Sequence, residues 1–342
     1  MRHVRLGRTG LQVSRICLGT MTFGLQCDEP TAVAILDRAA AGGVTFLDAA
    51  DVYPVGGSLD TVGRTEEILG RWLAGRRHGF VIATKCAGVM GAKPWERGLS
   101  RKHIFDAIDA SLRRLRTDYV DLYQLHSPDR ETPIDETLRA LDDLTRQGLV
   151  RYIGVSNWSA WKIAKALGLS EAKGYARFET LQAYYSIAGR DLERDLVPML
   201  SEEKLGLMVW SPLAGGLLSG KFGPGSNNPE GSRRTTFDFP PVDKDRAWKC
   251  VEVMREVGDA HGVTVARVAL AYILQKAFTM SIIIGAKTLE QLDDNLAAAE
   301  LTLTDDEMKR LDEVSDLPSE YPGWMFARQG GNRRPKPFVK AG

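Results

Sequence analysis

The sequence predicts an α/β fold, a (β/α)8 TIM barrel with an N-terminal β-hairpin cap and a C-terminal substrate loop. Three observations predict it. Short β-rich runs alternate with amphipathic stretches, the signature of repeated βα units around a parallel sheet. The runs are eight in number: Ser14 to Leu18, Val44 to Ala49, Phe80 to Lys85, Val120 to His126, Tyr152 to Asn157, Thr180 to Ser186, Leu207 to Pro212 and Met280 to Gly285. No break in composition divides the 342 residues, and one barrel of about 250 residues with insertions fills that length as well as two smaller domains would. A closed barrel over residues 1–342 as one domain is therefore expected in place of an open doubly wound sheet.

Each element has its own signal. His3 to Leu6 and Leu11 to Ser14 flank the turn residues Gly7 to Gly10, so residues 1–14 read as a hairpin over the barrel floor. Pro30 and Gly42 bracket a helix between the first two strands, Pro suiting a first turn and Gly a C-terminal stop. Ile104, Ile108, Leu112 and Leu115 recur at helical spacing after a cap at Ser100. Ile134, Leu138, Leu141 and Leu144 do so before Gly148. Both read as outer helices. Residues 222–245, with five Gly or Pro before Arg233, and the tail 317–342 read as loops long enough to be binding elements, lids or disordered segments.

Composition removes several classes of function. Apolar residues make up 44% and charged residues 26%, as in a globular protein with a full core. Formal charge is +1 and no basic run exceeds pairs such as Arg76-Arg77 or Arg333-Arg334, which argues against a nucleic-acid partner. Met1 to Gly10 lacks an apolar signal region and no stretch approaches 18 apolar residues, so no membrane partner and a cytoplasmic location are expected. Cys17, Cys27, Cys86 and Cys250 lack CxxC spacing, and the five His show no paired ligand spacing, so neither disulfides nor a metal are expected.

Barrel enzymes place reactive groups at the C-terminal ends of strands. Here the second run ends in Asp48-Ala49-Ala50-Asp51-Val52-Tyr53, the third in Lys85 and the fourth in His126. Any one of these alone serves capping or packing; three successive strand ends converging at one rim is a different matter. Reducing a carbonyl by hydride needs an acid for the developing alkoxide, and a Tyr hydroxyl serves if its pKa falls from about 10 toward neutrality. Lowering it that far takes about 4 kcal/mol, and one ammonium about 4 Å away supplies about that at an effective dielectric of 20. Lys85 is therefore expected to pull the Tyr53 hydroxyl down, with Asp48 holding Lys85 charged and His126 orienting the carbonyl oxygen or sharing its proton.

At these residues the chain resembles the aldo-keto reductases, and the resemblance runs over nearly its whole length. Asp48 and Tyr53 match the family's Asp and Tyr five positions apart, and Lys85 and His126 its strand-end Lys and His, which implies catalytic roles for all four. Gly154-Val155-Ser156-Asn157 is similar to the family's Gly-Val-Ser-Asn segment, implying that Ser156 and Asn157, with Gln182, hold the nicotinamide amide. Trp210 matches the aromatic on which the nicotinamide stacks, an aromatic inside the barrel being the plain alternative. In the same segment, Ser211, Leu213, Gly215, Gly216, Leu218 and Lys221 lie where the family approaches the pyrophosphate, although a glycine cluster alone is equally a flexible loop. Gly285, Ala286, Lys287, Gln291 and Asn295 resemble the adenosine 2′-phosphate site at a helix start. Lys287 stands where many relatives carry Arg, which implies NADPH as the preferred donor and leaves NADH as an alternative.

The opening Leu6 to Gly10 and the Gly19 to Gly24 turn resemble the bacterial aryl-alcohol-dehydrogenase-like branch, whose members act on aromatic aldehydes, keto sugars or cyclic ketones. A small-molecule carbonyl is the expected partner, and homo-oligomerisation is left open. Phe23, Tyr53, Trp95, Trp158 and Trp324 fall on loops expected at the mouth, giving an aromatic-walled substrate pocket, or else ordinary packing. An alternative from another class is a non-catalytic nicotinamide-sensing subunit of the channel-associated type. A redox role for Cys86 is disfavoured by the absence of a resolving cysteine nearby.

Overall fold

The computed structural model describes residues 1–223, 234 and 238–329. Strands β1 (His3–Arg5) and β2 (Gln12–Ser14) form the antiparallel hairpin, and eight parallel strands close the barrel. These are β3 (Ile16–Gly19), β4 (Phe46–Asp48), β5 (Val81–Cys86), β6 (Val120–Leu125), β7 (Val150–Ser156), β8 (Phe178–Tyr184), β9 (Gly206–Trp210) and β10 (Thr279–Ile284), with β10 paired to β3. Each coincides with one of the eight β-rich runs to within a few residues.

Helices surround the strands: α1 (Glu29–Ala41), α2 (Arg64–Trp72), α3 (Arg101–Leu115), α4 (Ile134–Arg146), α5 (Ala160–Lys173), α6 (Leu196–Glu203), α7 (Lys244–His261), α8 (Val265–Gln275), α9 (Leu289–Ala297), α10 (Asp305–Val314) and α11 (Gly323–Gln329). Their ends follow local chemistry. Asp28 caps α1 by accepting from Thr31 N, Pro30 occupies its first turn and Gly42 follows its last. Ser100 caps α3 by accepting from His103 N. Among the described residues no single helix is long and apolar enough to cross a membrane.

Two differences from the sequence reading concern the long loops. The stretch 317–342 is not wholly loop, because α11 forms within it; residues 330–342 lie outside the described residues. Most of 222–245 also lies outside them, and α7 begins at Lys244. The chain after α10 is tied to the mouth of the barrel by the β8–α6 connection. Arg190 donates to Asp312 O at 2.9 Å and Ser315 Oγ at 2.8 Å, and Arg194 donates to Pro318 O at 3.0 Å.

The barrel interior explains why the site is polar at one end. Leu6 and Val13 of the hairpin pack with Cys17, Phe46, Ala83, Leu122 and Met208 into an apolar floor. Side chains two residues apart on a strand share a face. The same inward face therefore carries Asp48 after Phe46, Lys85 after Ala83, Gln124 after Leu122 and Trp210 after Met208. On β4, β5 and β6 an apolar layer gives way to a polar one within a single step along the strand.

Between the layers, β7 and β8 approach closely at Gly154. A Cβ there would lie 2.2 Å from Thr180 Oγ1 and 3.2 Å from its carbonyl oxygen, and the branched Thr180 has few rotamers to escape into. Gly154→Ala is expected to lose about 1–3 kcal/mol. For a chain of this size that lowers Tm by several degrees in a circular-dichroism melt; an unchanged midpoint would show that the strand pair has slack.

Candidate active site

The structure brings Asp48, Tyr53, Lys85 and His126 together. Lys85 Nζ lies 2.6 Å from Asp48 Oδ2, donates to Ala49 O at 2.7 Å and reaches the Tyr53 hydroxyl at 3.5 Å. Asp48, Tyr53 and Lys85 are all buried. Tyr53 is placed by a tight turn after β4, its N–H donating to Ala50 O and its carbonyl accepting from Gly63 N. His126 follows β6 directly, is anchored through its N–H to Cys86 O at 2.8 Å, and meets the Tyr53 ring edge-on at 5.8 Å between centroids.

Electrostatics correct one expectation. Tyr53 is not drawn toward neutrality: burial raises its pKa above the ordinary tyrosine value, and Lys85 offsets only part of that rise. The reason is local. Lys85 is matched by a carboxylate at 2.6 Å, so Tyr53 feels an ion pair and not a bare cation. The hydroxyl keeps its proton at neutral pH, which is the state an acid needs. For Lys85 itself, burial works to lower the pKa, but Asp48 and Tyr53 outweigh it and leave the ammonium raised. Asp51 lies fully buried beside them with neither carboxyl oxygen hydrogen-bonded. Burial and the neighbouring Glu66 push its pKa well up, which favours the uncharged form beside Lys85.

The His126 imidazole is lowered to about 3, by burial first and Lys85 second. A neutral imidazole donates one hydrogen bond and accepts another but carries no spare proton near pH 7. Of its two expected roles, orienting the carbonyl oxygen survives and proton sharing does not.

The residues matched to a nicotinamide adjoin this group. Asn157 Nδ2 donates to His126 O at 3.2 Å, its Oδ1 accepts from Trp210 Nε1 at 3.0 Å, and its N–H donates to Gln182 O. Gln182 Nε2 donates to Asp48 Oδ1 at 2.8 Å. Ser156 Oγ is buried with no partner, which a carboxamide at the mouth would satisfy. This orphaned hydroxyl fits a nicotinamide at these residues. Trp210 is half-buried, tilted on Tyr184 and stacked on Phe239 at 5.7 Å and 8°.

Beyond Trp210 the backbone turns sharply. Ser211 Oγ accepts from Gly215 N at 2.8 Å, and Gly215 and Gly216 take φ of 66° and 95°, which favour glycine. Among the described residues no atom lies within 4 Å of where a Cβ on Gly216 would stand. Leu213 packs partly into the core, Leu218 is fully buried and can offer only backbone, and Lys221 is exposed.

The third group sits at the end of β10. Thr288 caps α9, Lys287 N–H donates to Gln291 Oε1 at 3.0 Å, and Asn295 Nδ2 donates to Gly285 O at 3.3 Å. Ala286 and Asn295 are buried, leaving Lys287, Gln291 and the Gly285 backbone to meet an anion at this helix start.

Two of the expected pocket aromatics are packing residues. Phe23 is fully buried in the core under Thr65, whose hydroxyl donates to its carbonyl. Trp158 is buried edge-on against Phe178, with Lys162 over its ring. Both follow strand ends, but their rings turn outward into the layer between strands and helices. Trp95 and Trp324 are exposed, Trp95 on the β5–α3 connection and Trp324 on α11 beside Tyr321. Gln124, Tyr184 and Phe239 were not singled out by sequence. Strand alternation could have found Gln124; nothing in the sequence marks Phe239, which lies in the long 222–245 stretch.

A closed eight-stranded parallel barrel with this charged group at the C-terminal ends of β4, β5 and β6 defines an oxidoreductase. The chain belongs to the aldo/keto reductase family, whose sequence model matches residues 15–316. It is 38% identical to the uncharacterized oxidoreductase YrpG of Bacillus subtilis over 93% of this chain and 97% of that protein. It is 36% identical to Protein tas of Escherichia coli, covering 94% and 99%. A probable voltage-gated potassium channel subunit beta of Arabidopsis thaliana is 36% identical, covering 88% and 92%.

The neutral His126 has a thermodynamic signature. Its folded pKa is depressed below the unfolded value, so the unfolded chain binds a proton first as pH falls, and stability is lost from about pH 6.5 downward toward 3. In urea titrations between pH 7 and 5, wild type should lose up to about 1 kcal/mol per pH unit more than His126→Gln. Parallel pH profiles would show that the imidazole protonates freely in the fold.

Proposed function

We propose that this chain transfers a hydride from NADPH to an aldehyde or ketone, with Tyr53 as the acid. The observation that carries this reading is the buried, protonated Tyr53 hydroxyl 3.5 Å from a Lys85 ammonium fixed by Asp48. The cofactor, when bound, supplies the hydride; everything else is work for the protein's own side chains. Ser156, Asn157 and Gln182 would hold the carboxamide, Trp210 the ring face, Gly215 and Gly216 the pyrophosphate, and Lys287 with Gln291 the 2′-phosphate. Lys287 favours NADPH, and NADH remains usable because an ammonium lacks the planar fork of Arg.

Neutral His126 orients the carbonyl oxygen toward the mouth-side face of Tyr53. As negative charge grows on that oxygen, Tyr53 releases its proton to it, and Lys85 steadies the phenolate that forms. The raised pKa gives the two directions different pH profiles. Reduction uses the protonated hydroxyl and should be flat through neutral pH; alcohol oxidation needs the phenolate and should rise into the alkaline range. Tyr53→Phe should lower kcat by about 10²–10⁴ while NADP+ affinity changes little; a retained kcat would refute the acid assignment.

Trp95 and Trp324 give the substrate side an aromatic rim, which suits aromatic aldehydes or bulky cyclic ketones over small polar carbonyls. Replacing both by Ala should raise KM for aromatic carbonyls several-fold, and an unchanged KM across a carbonyl panel would remove the rim from the account. We place the reaction in the cytoplasm, consistent with four unpaired, buried cysteines. The plant relative's name supports a second reading, a nicotinamide-sensing channel subunit. Stopped-flow release separates the two, since a sensor would hold NADPH far longer than one catalytic turnover.

A further inference from the structure

Gln124 carries no role in the chemistry described above, yet it sits fully buried in the middle of the site. It is the inward-facing residue of β6 one step above Leu122. Its Nε2 donates to Asp48 Oδ1 at 3.3 Å, the same oxygen that accepts from Gln182 Nε2 at 2.8 Å. Gln182 Nε2 also points at Gln124 Oε1, at 3.4 Å. Three buried side chains from β4, β6 and β8 thus close a ring across the barrel interior.

Elementary donor and acceptor counting fixes the ring's direction. An ionised Asp48 only accepts, so each glutamine must turn its NH2 group toward it. Gln182 has two N–H groups; one is directed at Asp48 and the other at Gln124 Oε1. Its carbonyl oxygen is the end no bond in the ring uses. Without Gln124, the second N–H of Gln182 would lose its internal acceptor and the amide would be held by Asp48 alone.

We propose that Gln124 is a positioning residue: by donating to Asp48 and accepting from Gln182, it presents the Gln182 carbonyl oxygen to the nicotinamide carboxamide. The proposal rests on the reading of the site as a nicotinamide seat. It ties cofactor affinity to the carboxylate that holds Lys85, because one ring of hydrogen bonds serves both. The charged and titratable groups around Gln124 are Asp48 on β4 and Lys85 on β5, with Tyr53 and His126 at the rim. From β7 and β8, Gly154, Thr180 and Gln182 bring no charge.

The test is direct binding of NADP+ to the full chain, by calorimetry, with melting temperature measured in parallel. Gln124→Met and Gln182→Met should each weaken NADP+ by about tenfold. The double variant should bind no worse than about twofold below Gln182→Met, because both act through one amide. Gln124→Glu keeps the volume and guards against a folding defect in the Met variant. As a neutral acid at pH 5.5 it can donate to Asp48 and accept from Gln182, so it should bind as wild type does at that pH. As pH rises it ionises against Asp48 and should fall about tenfold behind wild type. Wild-type affinity in Gln124→Met, losses that multiply in the double variant, or a pH-independent deficit in Gln124→Glu would each overturn the proposal while leaving the functional reading intact. A wild-type chain that does not bind NADP+ would overturn both.

Discussion

The ion pair between Lys85 and Asp48 is the constraint on which the rest of the site depends. Both groups lie inside the barrel, where taking a charge out of water costs several kcal/mol per ion, and their mutual attraction offsets this only with good geometry and further hydrogen bonds. Those bonds are present. Ala49 O takes a second proton of Lys85, while Gln182 and Gln124 supply donors to the other oxygen of Asp48. Because the cation is matched so closely, its field at Tyr53 is that of a dipole. Burial then wins, and the tyrosine keeps its proton. The same burial, aided by Lys85, keeps His126 neutral. A protonated phenol and a neutral imidazole thus stand beside one closely matched ion pair.

The barrel makes this arrangement possible. Period-two alternation places an apolar layer of Cys17, Phe46, Ala83, Leu122 and Met208 beneath the polar layer, and the hairpin seals it from below with Leu6 and Val13. The charged layer therefore has an apolar layer between it and the hairpin end of the barrel. The groups that would meet a cofactor lie on the next strands round, on β7, β8 and β9, and are linked to the charged group by Asn157 and Gln182. The nicotinamide-matching residues and the Lys85–Asp48 pair thus share one hydrogen-bonded framework.

Much of this was legible in the chain. The eight runs, the cap at Ser100, the first-turn Pro30 and the hairpin followed from local periodicity and turn chemistry, which act over a few residues and need no partner. The charged group was legible because strand ends in a barrel converge whatever the loops do. The aromatic residues were not: Phe23 and Trp158 lie on strand-end loops just as Trp95 does, but whether a ring turns into the mouth or behind the strands depends on packing against Thr65 and Phe178 from distant parts of the sequence.

The sequence by itself therefore determined the barrel and the meeting of Asp48, Tyr53, Lys85 and His126 at neighbouring strand ends, since both rest on residue type and short-range spacing. Only the tertiary structure decided the protonation states of Tyr53 and His126, the inward turn of Gln182 and the place of Gln124 beside it. Those depend on distances between side chains up to 134 positions apart in the chain, and on how completely water is excluded from them. Neither quantity is written in any local stretch of sequence.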